Sequence, residues 1–248
     1  MNRTIRFVST VATLLVGAFA PVAAQSAGNG YLFHAPNATV AVRAGYSRAN
    51  AASDVFDDVT SDLTLNKGDF SSLTFSGDIA VPITSRLSAV LSAGYSRSNR
   101  KSEFRDFVDN NDQPIEQTTT FERIPLTVNL RVDLGASGRS IGHLAWIPNK
   151  LVPYVGAGIG AMRYRFKQQG DFVDFNTNAV FPSTFVTEDW ALVTQGMAGV
   201  DYNVSPKLGI SFDARYLQAK GDLGSSFKGY DRIDLSGLSA TIGLTVRL

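Results

Sequence analysis

From Ala38 onward, hydrophobic and polar residues alternate with a period of two, broken by stretches rich in Asp, Asn, Gly and Ser. That period marks strands with one apolar face, and the polar breaks mark turns and loops. In the last run Leu238, Ala240, Ile242, Leu244, Val246 and Leu248 share a face, opposite Ser239, Thr241, Gly243, Thr245 and Arg247. Around 121–134, Ile124, Leu126, Val128, Leu130, Val132 and Leu134 alternate with Arg123, Pro125, Thr127, Asn129, Arg131 and Asp133. Eight runs are predicted, at 38–49, 70–83, 86–98, 118–134, 152–166, 189–202, 208–219 and 234–248. Each has about ten residues or more, enough for a tilted strand to cross a bilayer. Strands of soluble domains average about five or six. The stretch 154–160 has small residues on both faces, which leaves its register open.

The connections alternate in length. Thr84-Ser85 and 203–207 are tight turns, whereas 50–69, 99–117 and 167–188 are long, polar and acidic, and 220–233 is intermediate. Long connections on one side and short ones on the other are the asymmetry of an outer-membrane barrel. The segment 135–151 departs from it: it falls on the short side, and Leu144, Trp146, Ile147 and Leu151 predict a short piece lying in the inner membrane interface. Ala44-Gly45-Tyr46-Ser47-Arg48-Ala49-Asn50 nearly repeats as Ala93-Gly94-Tyr95-Ser96-Arg97-Ser98-Asn99. Tyr46, Tyr95, Tyr164 and Tyr216 hold comparable places at outward strand ends and predict an outer aromatic girdle.

Composition decides which face meets lipid. A soluble surface carries roughly a quarter to a third Lys, Arg, Asp and Glu. Here the polar face is mostly Ser, Thr, Gly and Asn, which suits the narrow interior of an eight-stranded barrel. The apolar face is therefore expected outside. Charges remaining on the polar face must pair or stay hydrated. Arg43, Arg131, Arg215 and Arg247 lie at depths similar to Asp78, Asp133, Asp201 and Asp213, predicting a salt-bridged interior.

The N-terminus adds the compartment. Arg3 and Arg6 precede an apolar stretch from Phe7 to Val22, and Val22-Ala23-Ala24 places small residues before Gln25. This reads as a secretory signal peptide (1–24), followed by an N-terminal periplasmic segment (25–37) and a barrel domain (38–248). The 248 residues include no cysteine, which excludes disulfides, thiolate metal sites and Cys nucleophiles. A net charge of +1 gives none of the basic surplus of a nucleic-acid binder.

Candidate chemistry is sparse. The only histidines, His34 and His143, fall on the inner side of this topology, too far to activate a serine at the outer rim. No catalytic, cofactor or metal site is expected. Gly156-Ala157-Gly158-Ile159-Gly160 superficially resembles a phosphate-binding loop, yet the alternating 162–166 follows where a helix is required. Asp54, Asp57, Asp58, Asp62 and Asp69 in the first long loop lack the ordered spacing of a calcium loop, as do the acidic residues of the second and third. Phe56, Phe104, Phe107, Phe172, Phe175, Phe181 and Phe185 are interleaved with them, predicting an extracellular cap or a surface for a partner. Arg48, Arg97, Arg100 and Lys101 near the outer rim are candidate contacts for lipopolysaccharide phosphates.

These features together resemble the OmpA/OmpW-like outer membrane protein beta-barrel group over nearly all of 38–248. The resemblance rests on the signal peptide, the 153–160 strand, the Ser205-Pro206-Lys207-Leu208 turn and the alternating last strand. The family's terminal aromatic, which resembles an address for the barrel-assembly machinery, is Leu248 here. The resemblance implies an all-β, eight-stranded antiparallel up-and-down transmembrane barrel with long extracellular loops, in a Gram-negative outer membrane. Its expected partners are outer-membrane lipid, lipopolysaccharide and the assembly machinery. The function expected first is non-enzymatic, structural or surface-interacting through the acidic-aromatic loops. The alternative is a narrow porin-like channel or lateral-transport barrel for small hydrophobic solutes, and a lipid A-modifying enzyme comes last.

Overall fold

The structure is a computed structural model that describes residues 30–109, 112–141, 145–174, 177 and 179–248. The predicted signal peptide, residues 25–29, His143, Leu144 and Phe175 lie outside the described residues. Among these there are eleven strands and one α-helix: β1 (Thr39–Ala49), α1 (Asp54–Asp62), β2 (Ser72–Pro82), β3 (Leu87–Val108), β4 (Pro114–Asp133), β5 (Gly138–Ile141), β6 (Ala145–Pro148), β7 (Leu151–Asp174), β8 (Ala179–Asn203), β9 (Leu208–Gly221), β10 (Ile233–Asp234) and β11 (Gly237–Arg247).

Eight of the eleven are long, and every neighbouring pair is antiparallel. Their order is β9-β11-β1-β2-β3-β4-β7-β8, and β8 pairs in turn with β9. Each long strand thus has two hydrogen-bonded neighbours.

Three expectations need correcting. The strand count is eleven, because the 135–151 segment folds into the β5–β6 hairpin and β10 adds two residues alongside β9. The predicted loops 99–117 and 167–188 are largely strand: β3–β4 and β7–β8 continue as paired hairpins almost to their tips. There the outward face leaves lipid and carries polar residues while the buried face keeps polar ones such as Ser102, Gln117, Thr119 and Gln168. The hydrophobic period-two signal therefore disappears although β-branched and aromatic residues still favour pairing. The first long loop contains α1, whose Val55, Phe56 and Val59 form a buried face.

The outward face is apolar. Leu91, Leu126, Val128, Leu130, Ile159, Leu192, Phe212, Ile242 and Leu244 are all exposed, whereas Ser92, Thr127, Asn129, Ser211 and Thr245 are buried. A soluble monomer does not expose so continuous an apolar surface. The structure also settles the register of β7. Val155 and Ile159 point out, and Tyr154, Met162, Tyr164 and Phe166 point in. The intervening glycines face inward because nothing larger fits. A Cβ on Gly158 would come within 2.3 Å of the Asn129 side chain, and one on Gly160 within 1.9 Å of the Leu126 carbonyl oxygen.

Inside, the two halves differ in chemistry. Toward the short-turn end the filling is charged and polar. Toward the long-hairpin end Phe56, Phe70, Phe121, Phe166, Phe227 and Met162 build an apolar cluster, with α1 inserted against it. Phe56 meets Phe70, Phe121 and Phe166 edge-on, at ring separations of 4.6, 5.4 and 5.6 Å.

Candidate functional site

The site is the lumen, built here from its inner mouth outward. The inner mouth is a cavity of about 470 Å³ beneath the barrel, with Arg131, Asp133, Asp201, Arg247 and Trp146 in its wall. Trp146 was expected in the membrane interface. Instead β6 turns it inward, 6% exposed, with the Arg247 guanidinium 6.0 Å from its ring. It is held by the chain before β1: Leu32 and Trp146 exchange backbone hydrogen bonds of 2.8 and 2.7 Å. Gly138, on the same face of the hairpin, leaves room for the ring: a Cβ there would lie 2.3 Å from it.

Above the mouth, the eight predicted interior charges all project inward and fall into two groups. In the lower group Arg131 donates to Asp133 at 2.8 Å and to Asp201 at 2.7 Å. Its guanidinium also stacks 3.7 Å from the Tyr154 ring centroid. Arg247 instead donates to the Asn203 side chain and the Pro206 carbonyl. In the upper group Asp78 accepts from both Arg43 and Arg215, the latter at 2.5 Å, and Arg215 also donates to Asp213 at 2.5 Å. Arg43 donates to Ser211 at 2.7 Å, and Tyr154 donates to Asp213 at 2.6 Å. Arg43–Asp78 joins the adjacent β1 and β2 and Arg215–Asp213 lies within β9, while Arg215–Asp78, Arg43–Ser211 and Tyr154–Asp213 reach past intervening strands. Every cation has anionic or carbonyl partners, as burial of charge demands.

Two further polar layers escaped the sequence reading. Gln195 donates to Asn129 Oδ1 at 2.9 Å, and Asn129 donates to Ser92 at 3.1 Å. Alternation places both inside, but nothing in the sequence shows that they meet. Arg123, 2% exposed, donates to the Leu235 and Ser236 carbonyls at 3.0 and 3.3 Å and to Ser47 at 2.9 Å. It lies at the boundary with the apolar cluster, 5.1 Å from the Phe121 ring.

Within the membrane-crossing part of the β3–β4 wall the pairing is interrupted at one level. Backbone hydrogen bonds of β4 alternate between neighbours: Asp133 N–H donates to Arg86 on the β3 side, and Leu134 N–H to Pro153 on the β7 side. The same alternation aims position 125 at Gly94 of β3, but Pro125 has no N–H to donate. The β3–β4 pairing accordingly skips from Ala93–Leu126 to Ser96–Arg123. Inside this break lies a small cavity of about 30 Å³, with Thr74, Gln195 and Leu217 in its wall. On its other side Pro125 is the register partner of Met162, a fully buried member of the apolar cluster.

The remaining predicted residues divide by face. Tyr46, Tyr95 and Tyr216 are exposed on the outer surface. Tyr164 is not part of that girdle: it is 1% exposed, points into the apolar cluster, and donates to the Asp222 carbonyl. The glycines of β7 hide its parity in the sequence, and Trp190, paired with the preceding Arg163, takes the outward place instead. Arg48, Arg97 and Lys101 are exposed. Arg100 turns toward the segment before β2 and donates to the Asp69 carbonyl at 3.3 Å. The acidic residues of the first loop serve local structure: Asp54 accepts from the Asp231 amide at 2.8 Å, Asp57 pairs with Lys67 at 2.5 Å, and Asp69 accepts from the Asn66 amide. Burial, then the hydrogen bond and charge of Asp58, push the Tyr230 phenol up to about 12. Among the described residues no cluster of three or more His, Cys, Asp or Glu side chains could hold a metal.

Solved structures similar to this chain are small barrels, matched almost end to end at low identity. Neisserial surface protein A is 13% identical over 89% of this chain and 98% of its own, with a TM-score of 0.48. OprG from Pseudomonas aeruginosa is 11% identical over 88% and 99%, with a TM-score of 0.47. Ail of Yersinia pestis is 12% identical over 86% and 99%, with a TM-score of 0.44. No curated protein matches the sequence. The outer membrane protein beta-barrel domain family matches residues 10–247, nearly the whole chain, without singling out an OmpA-like branch. The chain belongs to that family and is a transmembrane β-barrel-type protein of the outer membrane.

Proposed function

We propose that the eight long strands form a barrel closed to axial flow, whose outer half passes small apolar solutes sideways through the β3–β4 wall. The observation that carries this reading is the break at Gly94 and Pro125, which adjoins the apolar cluster through Met162. Below the break, the Arg43–Asp78–Arg215–Asp213 layer fills the lumen with bonded charge, which opposes passage toward the inner mouth. A solute in the apolar chamber then leaves most readily through the wall, where a backbone hydrogen bond is already missing. Entry requires α1 to lift. A nine-residue helix is below the length, roughly 12–15 residues, at which helices persist alone, so its position depends on the contacts of Val55, Phe56 and Val59.

The test is uptake of an apolar naphthylamine dye into liposomes bearing the parent or Pro125→Ala. The alanine restores an N–H opposite Gly94, so the expected result is a several-fold slower uptake. Unchanged uptake rejects the sideways route, and steady ionic currents in planar bilayers reject the closed lumen.

A second reading, a surface role, is favoured by the projecting hairpins. Beyond Ser96 and Val193, β3, β4, β7 and β8 continue as four paired strands, with Phe172 packed on Phe181 and Phe185. Shortening both hairpins would abolish adhesion to a surface partner while leaving dye uptake intact. On either reading, export with cleavage before Gln25, the segment 25–37, a barrel domain over 38–248 and insertion by the barrel-assembly machinery belong to the proposal. N-terminal sequencing of protein extracted from membranes checks the cleavage site.

A further inference from the structure

On the outside of the β3, β4, β7 and β8 wall, the pairings arrange the outward side chains in rows. Ala93, Leu126, Ala161 and Leu192 form one row. Two residues further out along each strand, Ile124, Arg163 and Trp190 form the next, beside Tyr95. Two residues beyond that lie Arg97, Glu122, Arg165 and Glu188. Each step is about 7 Å along a strand. Apolar, aromatic and charged rows therefore follow one another in the order of acyl chain, interface and headgroup.

The charged row does not neutralise itself. Arg97 lies 3.9 Å from Glu122, while Glu188 is shared between Arg163 and Arg165, the latter at 3.8 Å. Lys101 and Lys167 continue outward on the same face, so as far as Lys101 five cations meet two carboxylates, and Glu103, Glu116 and Asp171 follow only in the row beyond. A hollow of about 160 Å³ opens between Arg97, Glu122, Arg165 and Lys167, completed by hydroxyl and amide groups such as Thr120 and Gln169. Beyond β2, the predicted cation Arg48 of β1 faces outward next to Leu238 of β11, and Arg100 of β3 is turned away toward Asp69. The hollow itself sets three cations, Arg97, Arg165 and Lys167, against the one carboxylate of Glu122.

We propose that this hollow binds a phosphate of a diphosphorylated glycolipid of the outer leaflet, of the lipid A type. Arg97, Arg165 and Lys167 surround the phosphate, where guanidinium forks match its oxygens. The acyl chains run down the apolar rows through Leu126, Ile159 and Leu192. A glycolipid fits better than a soluble anion because the cationic hollow and the apolar rows are contiguous, and one molecule carries both chemistries. The site is independent of whether solutes cross the wall.

The experiment uses protein extracted in detergent and titrated with diphosphorylated lipid A, the same lipid with both phosphates removed, and inorganic phosphate. Heat-modifiable migration shows that each variant is folded. The expected result is at least tenfold tighter binding of the diphosphorylated lipid than of the dephosphorylated one. Arg165→Ala with Lys167→Ala should weaken it at least tenfold, and Glu122→Gln, which removes a competing carboxylate, should tighten it. Equal binding of the dephosphorylated lipid overturns the proposal. So does unchanged binding in the folded double variant, or weaker binding in Glu122→Gln. Inorganic phosphate binding as tightly as the glycolipid would assign the hollow to a free anion and also overturn it.

Discussion

The Tyr154 hydroxyl donates to Asp213 Oδ2 at 2.6 Å, reaching from β7 to β9 over the intervening β8. The bond closes the lumen at the level where the Arg131 guanidinium lies on the same tyrosine ring. Tyr154 thus couples the two interior charge groups, accepting a cation on its face and satisfying an anion with its edge.

Tyr154→Phe keeps the ring and removes only that donor. A hydrogen bond to a buried charge contributes about 1.5–3 kcal/mol, and Asp213 retains Arg215 at 2.5 Å. The expected outcome is a folded barrel whose heat-modifiable transition moves to lower temperature. An unchanged transition would show that the bond contributes nothing.

Asp78→Ala removes the carboxylate shared by Arg43 and Arg215. Breaking a buried pair from one side costs about 3–5 kcal/mol, and here two guanidiniums are affected. The variant is expected to lose more stability than Tyr154→Phe, measured as the denaturant midpoint of unfolding in detergent.

Glycine substitutions on the wall separate by face and contact. A Cβ at Gly160 would meet the Leu126 carbonyl oxygen at 1.9 Å, whereas one at Gly196 has nothing within 4 Å. Gly160→Ala should sharply reduce the folded fraction on a gel. Gly196→Ala should stay within about 0.5 kcal/mol of the parent.

Phe56→Ala empties the centre of the apolar cluster. Large-to-small changes of this kind cost about 3–5 kcal/mol, and the cost falls on the docking of α1 because the wall pairings do not depend on it. Limited proteolysis should cut within 54–62 while the membrane-protected fragment keeps its heat-modifiable migration. Resistance of that segment equal to the parent's would show that other contacts hold the helix.

Tyr230 supplies a pH dependence outside the membrane. Its phenol is raised to about 12, chiefly by burial and then by Asp58, against about 10 in an unfolded chain. The folded state favours the neutral form, so this contribution is complete below about pH 10 and is lost as pH rises toward 12. Proteolytic opening of α1 should increase over that window and do so less in Tyr230→Phe.

How much of this was legible from residues depends on the environment each strand crosses. Where lipid lies on one side and a polar lumen on the other, alternation in β4, β9 and β11 marked both faces, down to Arg131, Asp213 and Arg215. Above the membrane that contrast disappears, and the outer halves of β3, β4, β7 and β8 looked like loops. Tyr164 was misplaced for a related reason: Gly156, Gly158 and Gly160 carry no side chain to reveal parity, so an inward tyrosine resembled an outward one. Pro125 was visible as a polar-face residue, but its effect required knowing which neighbour its missing N–H would have faced. The α1 plug was hidden because its three apolar residues are scattered among aspartates.

The uneven height of the wall has a consequence for how the molecule meets its surroundings. β1, β2, β9 and β11 stop near the membrane, while the other four strands stand above it as a screen. A molecule arriving from outside can approach the α1 plug over the low side only, whereas the cationic face looks the other way, into the leaflet. The protein therefore has a front and a back within the plane of the membrane, and its orientation relative to neighbouring proteins bears on what reaches each.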